Sequence, residues 1–182
     1  MRKIFAILAV AAVAVGCNSH RTVISGDVLG IEDGMIYLAE PGRGKAVVDS
    51  TEIKSGKFVF NIDEPTAAYY AIRTANEVVT AVFTEDGKIT VEGNLADDSV
   101  KAVGTPANEA FNAYNEAMMS INQRYTEAAD TAAREAVYEE YQAFMNATIE
   151  QNMSNIFGVF LFIQNKSYEL SAAKMIESLN AL

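Results

Sequence analysis

From residue 22 to about residue 104, apolar and polar positions alternate in short runs broken by turn residues. "TVISGDVLGI" and "MIYLAE" flank Asp33-Gly34, and "KAVVDSTEIK" and "KFVFNI" flank Ser55-Gly56. Pro65 precedes "TAAYYAIRT"; "VVTAVFT" meets "KITVEGNL" across Asp86-Gly87, and "SVKAVG" closes the series. Period-two runs of four to eight residues, punctuated by Asp-Gly and Ser-Gly, read as strands joined by hairpins. About eight such strands with no helical period between them predict an antiparallel sandwich or a barrel-like domain.

The period changes near residue 105. Thr105 stands where a helix cap belongs and Pro106 suits the first helical position. Phe111, Tyr114, Met118, Ile121 and Tyr125 follow at spacings of three and four, which makes one apolar stripe. Asp130 caps a second expected helix with Val137, Tyr141, Phe144 and Ile149 along a face. Asn155 opens "NIFGVFLFIQN", apolar nearly all round, and Ser171 starts a short last helix bearing Met175, Ile176 and Leu179. The expected class is therefore α+β: a sandwich or barrel over residues 23–104, then three to four helices over 105–182. At helical spacing, Met and aromatic stripes read as core rather than as a ligand groove.

The first residues carry a different signal. "MRK" is followed by twelve apolar residues and then by Gly16 and Cys17. A basic start, a short apolar run and small residues before a cut are the marks of an export signal, and twelve residues fall short of the roughly 20 a membrane span needs. The ending resembles a bacterial lipobox, with Ala14 in place of the preferred Leu. That resemblance implies a signal peptide over 1–16, a lipid on the Cys17 thiol and a tether over 17–22. "NSHRT" after Cys17 has no acidic residue, which by analogy to sorting rules favours the outer membrane of a Gram-negative envelope, facing the periplasm.

Charge and chemistry narrow the rest. The chain has 14 basic and 24 acidic residues, a formal net charge of −10. An acidic surface repels phosphate backbones and excludes nucleic acid as an expected partner, leaving the N-terminal lipid as the membrane contact. Cys17 is the single cysteine and His20 the single histidine, so no internal disulfide and no thiol exchange are available; His20 reads as part of a solvated tether. No cofactor or metal is expected: "DDS" at 97–99 lacks the further oxygen ligands of a calcium loop. Asp49, Glu52, Glu85 and Asp86 are the carboxylates that a glycosidase pair could draw on, but spacing alone does not bring any two across a cleft. "GRGK" at 42–45 lacks the helix that a phosphate loop requires. "DST", "DSV" and "DTA" place Ser50, Ser99 and Thr131 in a pattern that resembles periplasmic O-glycosylation acceptors, although Asp followed by Ser or Thr also favours turns and caps.

"GDVLGIEDGMIYL", "VVDSTEIKSGKFVF", "EPTAAYYAI", "FTEDGKITVEG" and "AVGTPANEAFNAY" occur in the order of a known domain. The stretch from Val23 to Asn115 resembles the domain of unknown function that opens many lipid-anchored thiol–disulfide oxidoreductases of the TlpA/ResA type. The helical stretch after it is similar to the spacer before their thioredoxin domain. That domain would begin near Leu182, and the chain has no C-x-x-C pair. The resemblance thus implies fold and location without the oxidoreductase activity.

The expectation is a non-catalytic, lipid-anchored binding or scaffolding module of the cell envelope. Two alternatives stay open. One is a truncated remnant or partner of a TlpA-like oxidoreductase. The other is a carbohydrate or surface recognition module using Tyr37, Tyr69 or Tyr70; alternation allows only one of Tyr69 and Tyr70 into the sandwich core. An envelope partner, or a second copy, is expected on the C-terminal helices at Phe157, Phe160, Leu161, Met175, Ile176 and Leu179, on the ground that a short chain has few surfaces with which to cover them.

Overall fold

The computed structural model describes residues 21–42, 46–63 and 67–166. Eight strands form: β1 (Arg21–Leu29), β2 (Gly34–Ala39), β3 (Val47–Ile53), β4 (Lys57–Asp63), β5 (Ala68–Arg73), β6 (Val78–Thr84), β7 (Gly87–Asn94) and β8 (Lys101–Val103). Three helices follow among the described residues: α1 (Pro106–Glu127), α2 (Thr131–Gln151) and α3 (Ile156–Lys166). The helix expected at Ser171 lies outside them. Because β1 already runs from Arg21 and Thr22 is buried, the last two residues expected as tether belong to the sandwich.

The strands make two open four-stranded sheets, β4-β1-β7-β8 and β3-β2-β5-β6, so the barrel alternative does not hold. Pairing is antiparallel except between β1 and β7, which run parallel. Ile24, Val28, Phe58, Phe60, Ile89 and Val91 from one sheet meet Ile36, Leu38, Ile53, Ile72, Val79 and Val82 from the other. Two twisted sheets about 10 Å apart interdigitate best through such β-branched and leucine side chains. Gly26, opposite Phe58, would drive a Cβ into that ring, so the glycine makes room for it.

The three turn signals are real, but they are corners between sheets and not hairpins within one. β1, β4 and β7 lie in one sheet while β2, β3 and β6 lie in the other. At Ser55-Gly56 both residues have positive φ (51° and 79°), the geometry of a tight two-residue reversal. Lys54 and Lys57 exchange both backbone hydrogen bonds there, at 2.9 and 3.0 Å. The Asp33 carboxylate accepts from the Ser55 N–H at 2.7 Å and Gly56 C=O accepts from the Val28 N–H at 2.9 Å. These long-range bonds tie two corners together and send each chain reversal across the sandwich.

The outer face of β5–β6 is apolar as well. Alternation turns Tyr70 and Val82 into the sandwich, and their neighbours Tyr69 and Phe83 outward, where the helices cover them. The start of α1 is fastened to this face. Buried Asn108 accepts from the Phe83 N–H (3.0 Å) and donates to the Phe83 carbonyl (2.8 Å), completing the edge of β6 with a side chain. Thr105 occupies the cap position without a capping bond of its own. The Glu85 carboxylate takes that role, accepting from the Ala107 N–H at 2.8 Å where the helix dipole favours negative charge. Asp130 caps α2 as expected, accepting from the Ala133 N–H at 2.8 Å, and the Asn155 side chain caps α3 at the Gly158 N–H.

Candidate interaction surfaces

The apolar helix α3 is not the exposed face that the sequence suggests. Phe157 is 0% exposed, Leu161 is buried, and Phe160 is half-buried against the same cluster. Phe83 stands at the centre, with ring centroids 5.1 Å from Tyr69, 5.3 Å from Phe111, 5.5 Å from Phe157 and 5.4 Å from Phe160. One side of α3 meets β5, and other sides meet α1 and α2. The outer face of the sheet thus covers most of this apolar helix, leaving Ile163 exposed. Phe157 and Leu161 are core residues and Phe160 is half-buried beside them, so burial corrects the expected exposure at Phe157 and Leu161; Met175, Ile176 and Leu179 lie outside the described residues.

Exposure falls instead at the far end of the α1–α2 hairpin. With 22 and 21 residues, these helices are each roughly 32 Å long, whereas the 11 residues of α3 span about 16 Å. α3 packs near the start of α1 and the end of α2, so it covers one half of the pair. At the other half a cleft of about 300 Å³ opens between Met118, Ile121 and Tyr125 on one wall and Val137, Tyr138 and Tyr141 on the other. Tyr125 is 47% and Tyr138 55% exposed. The stripe periodicity marked five of these six residues as core. Tyr138 was missed because it stands beside the stripe; a second large aromatic next to Val137 was the signal that this face is wider than one neighbour can bury.

Charge surrounds the cleft. Arg124 of α1 grips Glu140 of α2 through two hydrogen bonds of 2.6 and 2.7 Å, and this bond holds the Glu140 carboxyl below its ordinary range. Glu116, Glu127, Glu135 and Glu139, with Arg134 among them, are exposed on the two helices. In the packed half, burial raises the Tyr114 phenol, with Tyr141 adding to the shift, and burial alone raises Tyr69.

The remaining sequence candidates separate in space. Tyr70 packs into the sandwich core and Tyr69 into the helix–sheet core, while Tyr37 is half-buried with the Arg73 guanidinium 5.6 Å from its ring centroid. Tyr69 and Tyr70 are each half-buried, on opposite faces of the sheet. Ser50, Ser99 and Thr131 are exposed. Turn and cap chemistry accounts for their surroundings: Ser99 Oγ accepts from the Asn94 N–H at 3.0 Å, Asp97 accepts from the Ser99 N–H, and the Asp130 carboxylate is the α2 cap. Among the four carboxylates, Glu85 caps α1 and Glu52 pairs with Lys54 at 2.8 Å. Among the described residues, no group of His, Cys, Asp and Glu is placed to hold a metal, and no helix is long and apolar enough to cross a membrane. Cys17 and His20 lie outside the described residues.

Fold and surfaces define an α+β protein with a two-sheet sandwich and a helical hairpin that protrudes from it. Residues 22–111 match the family model described as a domain of unknown function, DUF4369. The match ends at Phe111, so it takes in the first turn of α1 that Asn108 and Glu85 bind to the sheet. Neither the curated proteins nor the solved structures contain a match to the chain.

Proposed function

We propose that this chain is a lipid-anchored lipoprotein of the cell envelope, held by Cys17, that acts as a non-catalytic binding or scaffolding module. The observation that carries the binding role is the aromatic cleft between α1 and α2, open among the described residues. Its position suits display from an anchor. β1 enters at the corner where Thr22 Oγ1 donates to the Glu85 carbonyl, and the Glu85 side chain caps α1 at that same corner. Met118 and Tyr125 then lie roughly 18–29 Å along α1 from its first residue, by helical rise. The cleft stands away from the point where the tether joins.

The occupant of the cleft is a helix of an envelope protein. A third helix beyond the end of α3 would complete the packing of the α1–α2 pair, and the surrounding glutamates select an apolar stripe flanked by Lys or Arg. The test has two parts. Cys17→Ser leaves an uncut or unlipidated precursor that no longer partitions with membranes; full retention in the membrane fraction refutes the anchor. A photo-crosslinking residue at position 138 captures one dominant envelope protein through a basic amphipathic helix, and Tyr125→Ala abolishes the product. Capture only of a second copy of this chain, or yields equal to those from exposed position 139, overturns the partner reading.

A further inference from the structure

The outer face of the β3-β2-β5-β6 sheet holds a cation with no carboxylate partner among the described residues. Arg73 ends β5 directly opposite Tyr37 of β2, and its guanidinium carbon lies 5.6 Å from the tyrosine ring centroid. Its Nε is shut off from solvent and has no hydrogen-bond partner. Arg73 forms no ion pair among the described residues, although acidic residues outnumber basic ones in the chain. Buried donors are almost always paired, so an orphaned guanidinium nitrogen calls for an explanation.

The surroundings of Arg73 form a pocket. A cleft of about 540 Å³ lies over Ala71, Arg73 and Val78, with Gly42 on one side and the 74–77 turn on the other. That is within the size range of small-molecule sites. Two irregularities shape it: pairing slips between Ile72 and Arg73 on β5, and between Leu38 and Ala39 on β2. Such bulges commonly re-aim a side chain beside a site. Ala71, paired with Ala39 and Ala81 on the neighbouring strands, puts a small side chain in the cleft wall beside Arg73. The rim is fixed, because Thr74 Oγ1 accepts from the N–H groups of Asn76 and Glu77, both at 3.2 Å. Asn76 has a side-chain amide that makes no hydrogen bond among the described residues and is available as a second donor.

We infer that this cleft binds a small molecule through a carboxylate group, held by the Arg73 guanidinium with the Asn76 amide beside it. The planar fork of an arginine matches the two oxygens of a carboxylate, and the Tyr37 ring keeps that fork in place. Charge selects carboxylate over phosphate. Among the described residues the site has one cation, the exposed Glu77 carboxylate stands on its rim, and the chain as a whole is at −10. A monoanion is balanced there, whereas a dianion is not. The inference does not depend on the α1–α2 cleft or on its partner.

The test is a titration of the isotopically labelled 182-residue chain followed by NMR. Sodium glucuronate and N-acetylalanine are the probes, and glucose and sodium chloride are the controls. The Arg73 Nε–H signal and the amides of 74–78 shift saturably with a carboxylate and not with the controls. Arg73→Lys keeps the charge and loses the fork, and weakens binding about tenfold or more; Arg73→Gln removes the saturable response while amides outside the cleft keep their positions. Stronger binding of glucuronate names a sugar acid as the source, and stronger binding of N-acetylalanine names a peptide terminus. A response equal to that of chloride, tighter binding of inorganic phosphate, or unchanged affinity in Arg73→Gln overturns the inference. Should Arg73→Gln unfold, the Nε–H titration of the parent chain decides alone.

Discussion

The two cores of this molecule are built from different residues. The sandwich interior is mostly Ile, Val and Leu spread over eight strands, with Phe58 and Phe60 at one side. The helix–sheet interior is mostly rings: Tyr69, Phe83, Phe111, Tyr114, Phe157 and Phe160. β-branched side chains fit two pleated surfaces that mesh along their whole length. Rings bridge the wider, uneven gap between a flat sheet and helical cylinders, and edge-on contacts hold them there. The first core distributes its load; the second concentrates it on Phe83, which touches four aromatic neighbours.

That contrast is broken most directly at Phe83. Phe83→Ala should cost about 3–5 kcal/mol, the range for deleting a buried ring. Helical and sheet signals in urea unfolding should fall together, because Phe83 is both a ring in one core and a paired residue of β6, whose Val82 fills the other. If helical ellipticity melts first while the sheet keeps its midpoint, the two cores are separate folding units. Asn108→Ala comes next, at about 2–4 kcal/mol, since it strips partners from both backbone groups of Phe83 at a buried site. Hydrogen exchange at the Phe83 amide reads this directly; unchanged protection there means that the strand edge is satisfied some other way.

Much of this architecture is legible in the sequence, and the failures have physical causes. Period-two runs gave the strands because pleating forces that alternation. Asp33-Gly34 and Asp86-Gly87 marked chain reversals correctly, but a reversal does not state which sheet receives the next strand. That choice is made by distant groups such as the Asp33–Ser55 bond. α3 reads as buried from its all-round apolarity, yet the expected exposure overlooked the cover offered by β5–β6. The signal was present: Tyr69-Tyr70 and Val82-Phe83 are apolar at both parities, which a strand with one solvated face does not afford. Arg73 and Asn76 carry no local pattern at all. A bulge and a turn bring them to one cleft, and only three-dimensional pairing reveals that.

Gly158 sharpens the comparison at the junction of α2 and α3. A Cβ there would overlap the Asn152 carbonyl, so the two helices meet backbone to side face with no room for a methyl group. Gly158→Ala would raise helix propensity by about 1 kcal/mol in an open setting. Here the overlap should dominate and give a net loss of about 1–3 kcal/mol, with Phe157 and Leu161 displaced from Phe83. A rise in thermal midpoint would show that α3 can shift freely, and that the aromatic core is less tightly fitted than its ring contacts imply.

The smallest effect belongs to the open half of the hairpin. Arg124 hydrogen-bonds both oxygens of Glu140 and holds its carboxyl below the ordinary 4.5. A depressed folded value means that the native state favours the ionised form. The stabilisation is therefore present above about pH 4.5 and is lost as pH falls through the lowered value. Glu140→Gln should flatten that acid limb and leave the midpoint at neutral pH almost unmoved, because the pair is exposed and screened. High salt should mimic the substitution. An acid limb identical to the parent's would mean that the pair adds nothing to the fold. A neutral-pH loss as large as that of Gly158→Ala would mean that the cleft end is packed as firmly as the α3 end, and the division into a closed and an open half would fail.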